Sequence, residues 1–375
     1  MALTTLPTAA FATGSVGTSQ LADGAVTTEK LVADVNFRNI IINGDMSLAQ
    51  RGTSFAGQTS GAYYLDRFKT DISGLGTWTI SQSTDVPTGQ GFQKSMKFDC
   101  TTADAAPSAS DFLYLNQPIE GYNTQSFKFG TANAESLTLS FWVKSNKTGT
   151  YIVRFYDIDN QRVLSQSYTI SSASTWEKKT ITISGDTVSG PNYDNGYAFA
   201  INWCLGAGTN YTSGTLNTSW NSVTSADQFV GQVNLADNTA NEWYITGVQL
   251  EVGTSASDFE FLPYDVNLQR CQRYYQRGGN GWAGWAYSGN NSEVYCGNIT
   301  PMRAGPAVSY SGSSTVGETG GVIHIAGIAN YTITGLAGYD SQTITGFLLN
   351  VLTSGNASQK TAGIKGCPFI MESEL

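Results

Sequence analysis

Trp282, Trp285 and Tyr287 stand among small and polar residues in Gly281-Trp-Ala-Gly-Trp-Ala-Tyr-Ser-Gly-Asn-Asn291. Sugar rings have apolar faces of C–H groups that stack on Trp and Tyr, while Asn, Gln and Asp bond their hydroxyls. The segment carries no charge, which suits a neutral sugar better than phosphate or peptide. A strict strand would set Trp282 and Trp285 on opposite faces. A turn at Gly284 would bring both to one surface. Trp142 lies on the polar face of Ser140-Phe-Trp-Val-Lys144 and is a further candidate for glycan contact. Core or inter-subunit packing is the competing role for these rings. Trp203 and Trp243 fall on apolar strand faces and are expected in the core.

Other chemistries find little material. The one histidine, His324, sits between Ile323 and Ile325 in a strand pattern, and no Gly-x-Ser-x-Gly elbow precedes a helix. No glycine-rich phosphate cradle is present. Asp157 and Asp159 read as turn residues rather than a hydrolytic pair. The expectation is therefore a protein without catalysis. The five cysteines form no Cys-x-x-Cys pair and read as buried free thiols. With a net charge of −9 the chain repels phosphate backbones, so nucleic acid is not an expected partner. No apolar run approaches the roughly 18 residues that span a membrane, so membrane insertion is not expected either. The first basic residue is Lys30, so the start does not read as a signal peptide.

These groups must be held by strands. Only 13% of residues are charged, about half the usual share, while 40% are hydrophobic and 12% aromatic. Leu137, Leu139, Phe141 and Val143 alternate with Thr138, Ser140, Trp142 and Lys144, and Tyr151, Val153 and Phe155 continue the pattern. In 242–252 the apolar parity changes near Gly247, which predicts a β-bulge. Arg38-Asn-Ile-Ile-Ile-Asn-Gly-Asp-Met46 reads as a short strand closing on a turn. The stretch 259–277 reads as a helical joint started by Asp265, with Leu268, Cys271 and Tyr275 inward and Arg270 and Arg273 pointing away. The fold class is all-β, in three parts. Residues 1–36 form an N-terminal stalk, 37–265 a central jelly-roll β-sandwich, and 266–375 a C-terminal β-sandwich. In the stalk Leu6, Phe11, Val16, Leu21, Val26 and Leu31 recur every five residues, a row that one ribbon cannot bury against itself, so a homotrimer is expected.

An ordered series of motifs runs through this frame. It comprises Asn39-Ile-Ile-Ile-Asn-Gly-Asp45, Gln50-Arg-Gly52, Tyr63-Tyr-Leu-Asp-Arg-Phe68, Gly247-Val-Gln-Leu-Glu-Val-Gly253, Phe261-Leu-Pro-Tyr264, Cys271-Gln-Arg-Tyr-Tyr275 and the ending Cys367-Pro-Phe-Ile-Met-Glu-Ser-Glu-Leu375. The series resembles bacteriophage tail-fibre and tail-appendage proteins with a jelly-roll domain like a carbohydrate-binding module. That resemblance implies a virion protein, made in the host cytoplasm and mounted in the tail, that attaches to a bacterial surface glycan. Residues 1–36 would join it to other tail proteins, and 266–375 would be a receptor-binding tip. Two rival functions are a tail depolymerase that cuts the glycan and a structural adaptor that spaces virion parts. Modules of this kind often hold a structural calcium near the first and last strands. Asp45 and Asp258 would be the nearest oxygen donors here, and no other cofactor is implied.

Overall fold

The computed structural model of the chain describes residues 37–278, 282–288, 291–297, 300–304, 307–310, 322–325, 329–343, 346–353, 360–365 and 369–375. The stalk and trimer expectations for residues 1–36 lie outside them, as do the tail contacts assigned there. In chain order the strands of the first part are β1 (Ser54–Gln58), β2 (Ala62–Tyr63), β3 (Lys69–Ser73), β4 (Thr77–Ser83), β5 (Ser95–Thr102), β6 (Phe112–Glu120), β7 (Leu137–Ser145), β8 (Gly149–Asp157), β9 (Arg162–Ile170), β10 (Glu177–Ile183), β11 (Tyr197–Ala207), β12 (Asn221–Ser222) and β13 (Glu242–Val252). They form two antiparallel sheets, ordered β1-β4-β5-β13-β7-β10 and β12-β9-β8-β11-β6-β3-β2. This is the two-layer sandwich that the alternating pattern predicts.

Its core follows from strand parity. Leu137, Leu139, Phe141 and Val143 of the first sheet meet Tyr151, Val153, Phe155, Phe199, Ile201 and Trp203 of the second. Trp203 and Trp243 are fully buried, as their apolar faces require. The outer face of β7 is less open than alternation alone suggests, because Thr138, Ser140 and Lys144 are buried too. The Lys144 ammonium is paired with Asp85 and lies over the Tyr244 ring. The predicted bulge is present. β13 loses register against β7 between Thr246 and Gln249, and Gly247 takes a φ of 62° there.

Residues 38–46 do not form the strand predicted for them. They run beside the bulge of β13 with two backbone bonds, from Ile40 N to the Leu250 carbonyl at 3.0 Å and from Val248 N to the Gly44 carbonyl at 2.9 Å, and side chains add the others. Asn39 accepts from Leu250 N at 3.1 Å and donates to the Val248 carbonyl at 3.2 Å. Asn43 sits at a φ of 61°, donates to the Leu48 and Asp66 carbonyls and accepts from Leu48 N. Asn tolerates this left-handed backbone because its amide bonds locally.

The joint is α2 (Tyr264–Gln272), preceded by the single-turn α1 (Thr209–Thr212). Helix α2 starts after Pro263, and Asp265 lies inside its first turn rather than capping it. Proline is tolerated there because its missing N–H would lack a helical partner anyway. Cys271 and Tyr274 pack on Ile42 and Leu48 in a small second core, with Leu268 and Leu375 at its edge. The two arginines do not point away. Arg273 forks onto the buried Glu120 carboxylate, and Arg270 donates to the Asn39 carbonyl at 3.3 Å.

Beyond the joint come β14 (Tyr275–Gly278), β15 (Trp282–Ser288), β16 (Asn291–Gly297), β17 (Ala307–Tyr310), β18 (Val322–Ile325), β19 (Ala329–Thr343), β20 (Gly346–Thr353), β21 (Lys360–Lys365) and β22 (Phe369–Glu372). The all-β class holds here, but the layering differs from a second sandwich. Six strands close in the order β15-β16-β20-β19-β18-β21, while β14-β22-β17 form a separate three-stranded sheet. Closure follows because β21 pairs with both β15 and β18, so the row has no unpaired edge to cover with a second sheet. His324 pairs within this barrel, opposite Asn330 and Gly363.

Candidate functional site

Trp282, Trp285 and Tyr287 lie on β15, and their side chains fall outside the described residues. The turn expected at Gly284 is absent. Gly284 pairs with Val294 on one side and Ala362 on the other, in the middle of a continuous strand. Residues three apart on such a strand belong to opposite faces.

Trp142 is half-buried and lines a cleft of about 370 Å³ with Phe92, Phe259, Phe261 and Lys178. Lys178 is its direct neighbour across β10. The three phenylalanine rings pack on one another at 4.8–5.1 Å, which spends much of their surface. The cleft also rests on loops, which hold groups less rigidly than strands do.

A second cleft, of about 280 Å³, stands on the outward face of the second sheet. Sequence pattern alone gives it no role. Strand register lines up Lys69, Asn116, Asn202, Arg154 and Ser165 across five adjacent strands. Tyr114 lies one step along β6 from this row, and Tyr156 one step along β8. Phe112 and Tyr114 stack at 5.4 Å with their planes 21° apart, and Tyr211 of α1 meets Phe112 edge-on at 5.6 Å. The loop that carries α1 returns with Gln228 and Phe229 to close one side. Ile152 and Cys204 anchor that loop through Phe229.

Hydrogen bonds hold the polar row in place. Asn202 Oδ1 accepts from Arg154 Nε at 2.9 Å and from Nη2 at 2.7 Å, and Gln228 Oε1 accepts from Nη1. Asn116 Nδ2 donates to Asp71 at 3.0 Å, and Asp71 pairs with Lys69 at 2.8 Å. Burial pushes the Tyr114 hydroxyl up to about 12 although the Arg154 charge pulls it down, so it stays a neutral donor and acceptor. Asn116 and Asn202 are buried beneath the cleft, so half-buried aromatic rings beside Arg154 and Gln228 give the two halves of sugar recognition. The sequence carries only a partial trace of this cleft. Tyr114 occupies the parity opposite the core residues Leu113 and Leu115 of β6, and Arg154 and Tyr156 the parity opposite Val153 and Phe155 of β8.

The calcium donors do not share a site. Asp45 Oδ1 takes bonds from Ser47 and lines a cleft with Asn43 and Asn267. Asp258 lines the Trp142 cleft instead, and its backbone carbonyl accepts from the Arg38 guanidinium at 2.6 Å. A cation is poorly served beside an arginine, and calcium takes 6–8 oxygens. No group of three acidic, histidine or cysteine side chains suited to a metal occurs among the described residues.

No family model matches the sequence, and no curated protein matches it. Solved structures do resemble the fold. The enzymatically active domain of bacteriophage CBA120 tailspike protein 4 overlays at a TM-score of 0.31 with 15% identity, over 57% of this chain and 21% of that one. An arabinose-bound α-L-arabinofuranosidase gives 0.34 with 11% identity, over 65% and 31% of the two chains. A carbohydrate-binding module in complex with beta-1,4-galactotriose gives 0.27 with 12% identity, over 57% and 99%. The chain thus spans less than a third of the first two. At such TM-scores the likenesses do not assign a function.

Proposed function

We propose that the protein is a non-catalytic attachment protein of a bacteriophage tail fibre, and that it binds a glycan of the host surface through the cleft of Tyr114, Tyr156 and Tyr211. The observation that carries the glycan reading is the pairing of stacked aromatic rings with the fixed Arg154 guanidinium and the Gln228 amide in one cleft. The phage reading draws support from the ordered motif series and the five-residue repeat of the first 36 residues. A depolymerase needs two carboxylates about 5–10 Å apart across the scissile bond, whereas the lining of this cleft contains no Asp or Glu among the described residues. An adaptor has no use for an open aromatic cleft.

The test is binding of the intact protein to purified host surface polysaccharide. The double variant Tyr156→Ala/Tyr211→Ala should weaken binding by about tenfold or more, because each lost stacking ring removes a central contact. Both rings are half-buried, so the unfolding midpoint should move little. The polysaccharide should keep its chain length on long incubation; shortening would make the protein a depolymerase. Undiminished binding by a folded double variant would move the site to the Trp142 cleft or to Trp282, Trp285 and Tyr287.

A further inference from the structure

We infer that the sugar taken by this cleft is anionic, bearing a carboxylate or phosphate that Arg154 holds; the inference rests on the glycan reading above. Arg154 is only 7% exposed, yet among the described residues no carboxylate lies within ion-pair distance of it. Every other charged group on the row is matched, since Lys69 pairs with Asp71. Arg154 is also the sole charged side chain among the described residues that line the cleft. A buried charge without a counter-charge is costly and is normally paired.

The guanidinium is held rather than neutralised. Its planes of contact are the rings of Tyr114, Tyr156 and Phe229, with centroids 5.0–5.2 Å away. Three of its five N–H groups are taken by the Asn202 and Gln228 carbonyl oxygens. Those acceptors are neutral amides, which orient the fork and leave its charge in place. One N–H on Nη1 and one on Nη2 have no amide acceptor, and only the neutral Tyr114 hydroxyl stands beside them; two such groups match two oxygens of a carboxylate or phosphate. The surrounding tyrosines would stack the same sugar's ring. A chain of net charge −9 gains no long-range attraction for an acidic polymer, so recognition must come from such a local, buried cation.

The experiment is a glycan array carrying neutral, uronate-, sialate- and phosphate-bearing oligosaccharides, probed with the full chain. Each hit is then titrated beside its carboxyl-reduced or phosphatase-treated form. The expected result is that hits are acidic, that removing the charge weakens binding by about tenfold or more, and that binding depends only weakly on salt, because the contact is buried. Which treatment abolishes binding tells carboxylate from phosphate. Arg154→Gln should weaken the acidic forms far more than the neutral ones, and so narrow the difference between them. Because that variant disturbs a buried network, the treated-glycan comparison with unaltered protein stands by itself. Neutral hits that bind as well as their acidic counterparts would overturn the anionic assignment and leave the glycan cleft intact. An array with no hit in any class would overturn both.

Discussion

Gly247 shows how one residue can hold a surface in shape. The bulge it makes in β13 lets the Phe92 ring lie against the sheet, where a Cβ at position 247 would stand 2.5 Å from the ring. Its φ of 62° adds backbone strain for any other residue. Gly247→Ala should therefore cost about 2–3 kcal/mol. Urea unfolding measures it, and a loss below about 0.5 kcal/mol would mean that Phe92 has room to yield. The cysteines show the opposite case, in which burial removes chemistry. Cys100, Cys204 and Cys271 are free and buried, and desolvation pushes the Cys100 thiol up to about 11. Such thiols act as small apolar fillers.

Helix α2 and the C-terminal residues form an element of their own, and the motifs scattered along the sequence converge on it. Arg67 is 1% exposed, pairs with Glu374, donates to the Pro118 carbonyl at 2.8 Å and stacks 3.6 Å from the Tyr274 ring centroid. Arg51 reaches Glu372 at 2.9 Å and Glu374 at 3.1 Å, above Tyr275. Tyr274 donates to Glu120 at 2.6 Å, and Tyr63 donates to the Leu375 carbonyl at 2.6 Å. The end of the chain thus clamps the sandwich to α2 and β14. Glu374→Gln leaves the Arg67 charge buried without a carboxylate and should cost about 3–5 kcal/mol. Arg67→Met together with Glu374→Leu should cost far less than the sum of the two single changes, because both charges leave at once. A double-mutant cycle by chemical denaturation checks this, and strict additivity would show that the pair is not coupled.

At the scale of the molecule, the spaced apolar row from Leu6 to Leu31 argues for a threefold assembly. Sedimentation of the full chain should give a trimer, and removal of residues 1–36 should leave folded β domains of lower mass. A monomeric full chain would sink the assembly proposal. Three clefts on one fibre, repeated over several fibres, would raise weak single-site binding by roughly 10²–10⁴. A modest affinity in the array experiment is therefore compatible with firm attachment of a particle.

Period-two alternation was enough to identify the all-β class, the core faces of β7 and β8, the burial of Trp203 and Trp243, and the bulge at Gly247. Each of these depends on residues close along the chain, and burying an apolar face leaves a strand little choice of orientation. Residues 38–46 misled because Asn39 and Asn43 bond a partner some two hundred positions away. The closed barrel was hidden for the same reason, since the pairing of β21 with β15 and β18 joins segments far apart in the chain. The cleft of Tyr114, Arg154 and Tyr156 was hidden too. Its polar row exists only once five strands are in register and a distant loop has brought Tyr211, Gln228 and Phe229 over them. Local pattern determined which way each strand faces. Tertiary structure alone decided which of those faces meet, and so where a charge and an aromatic ring share one hollow.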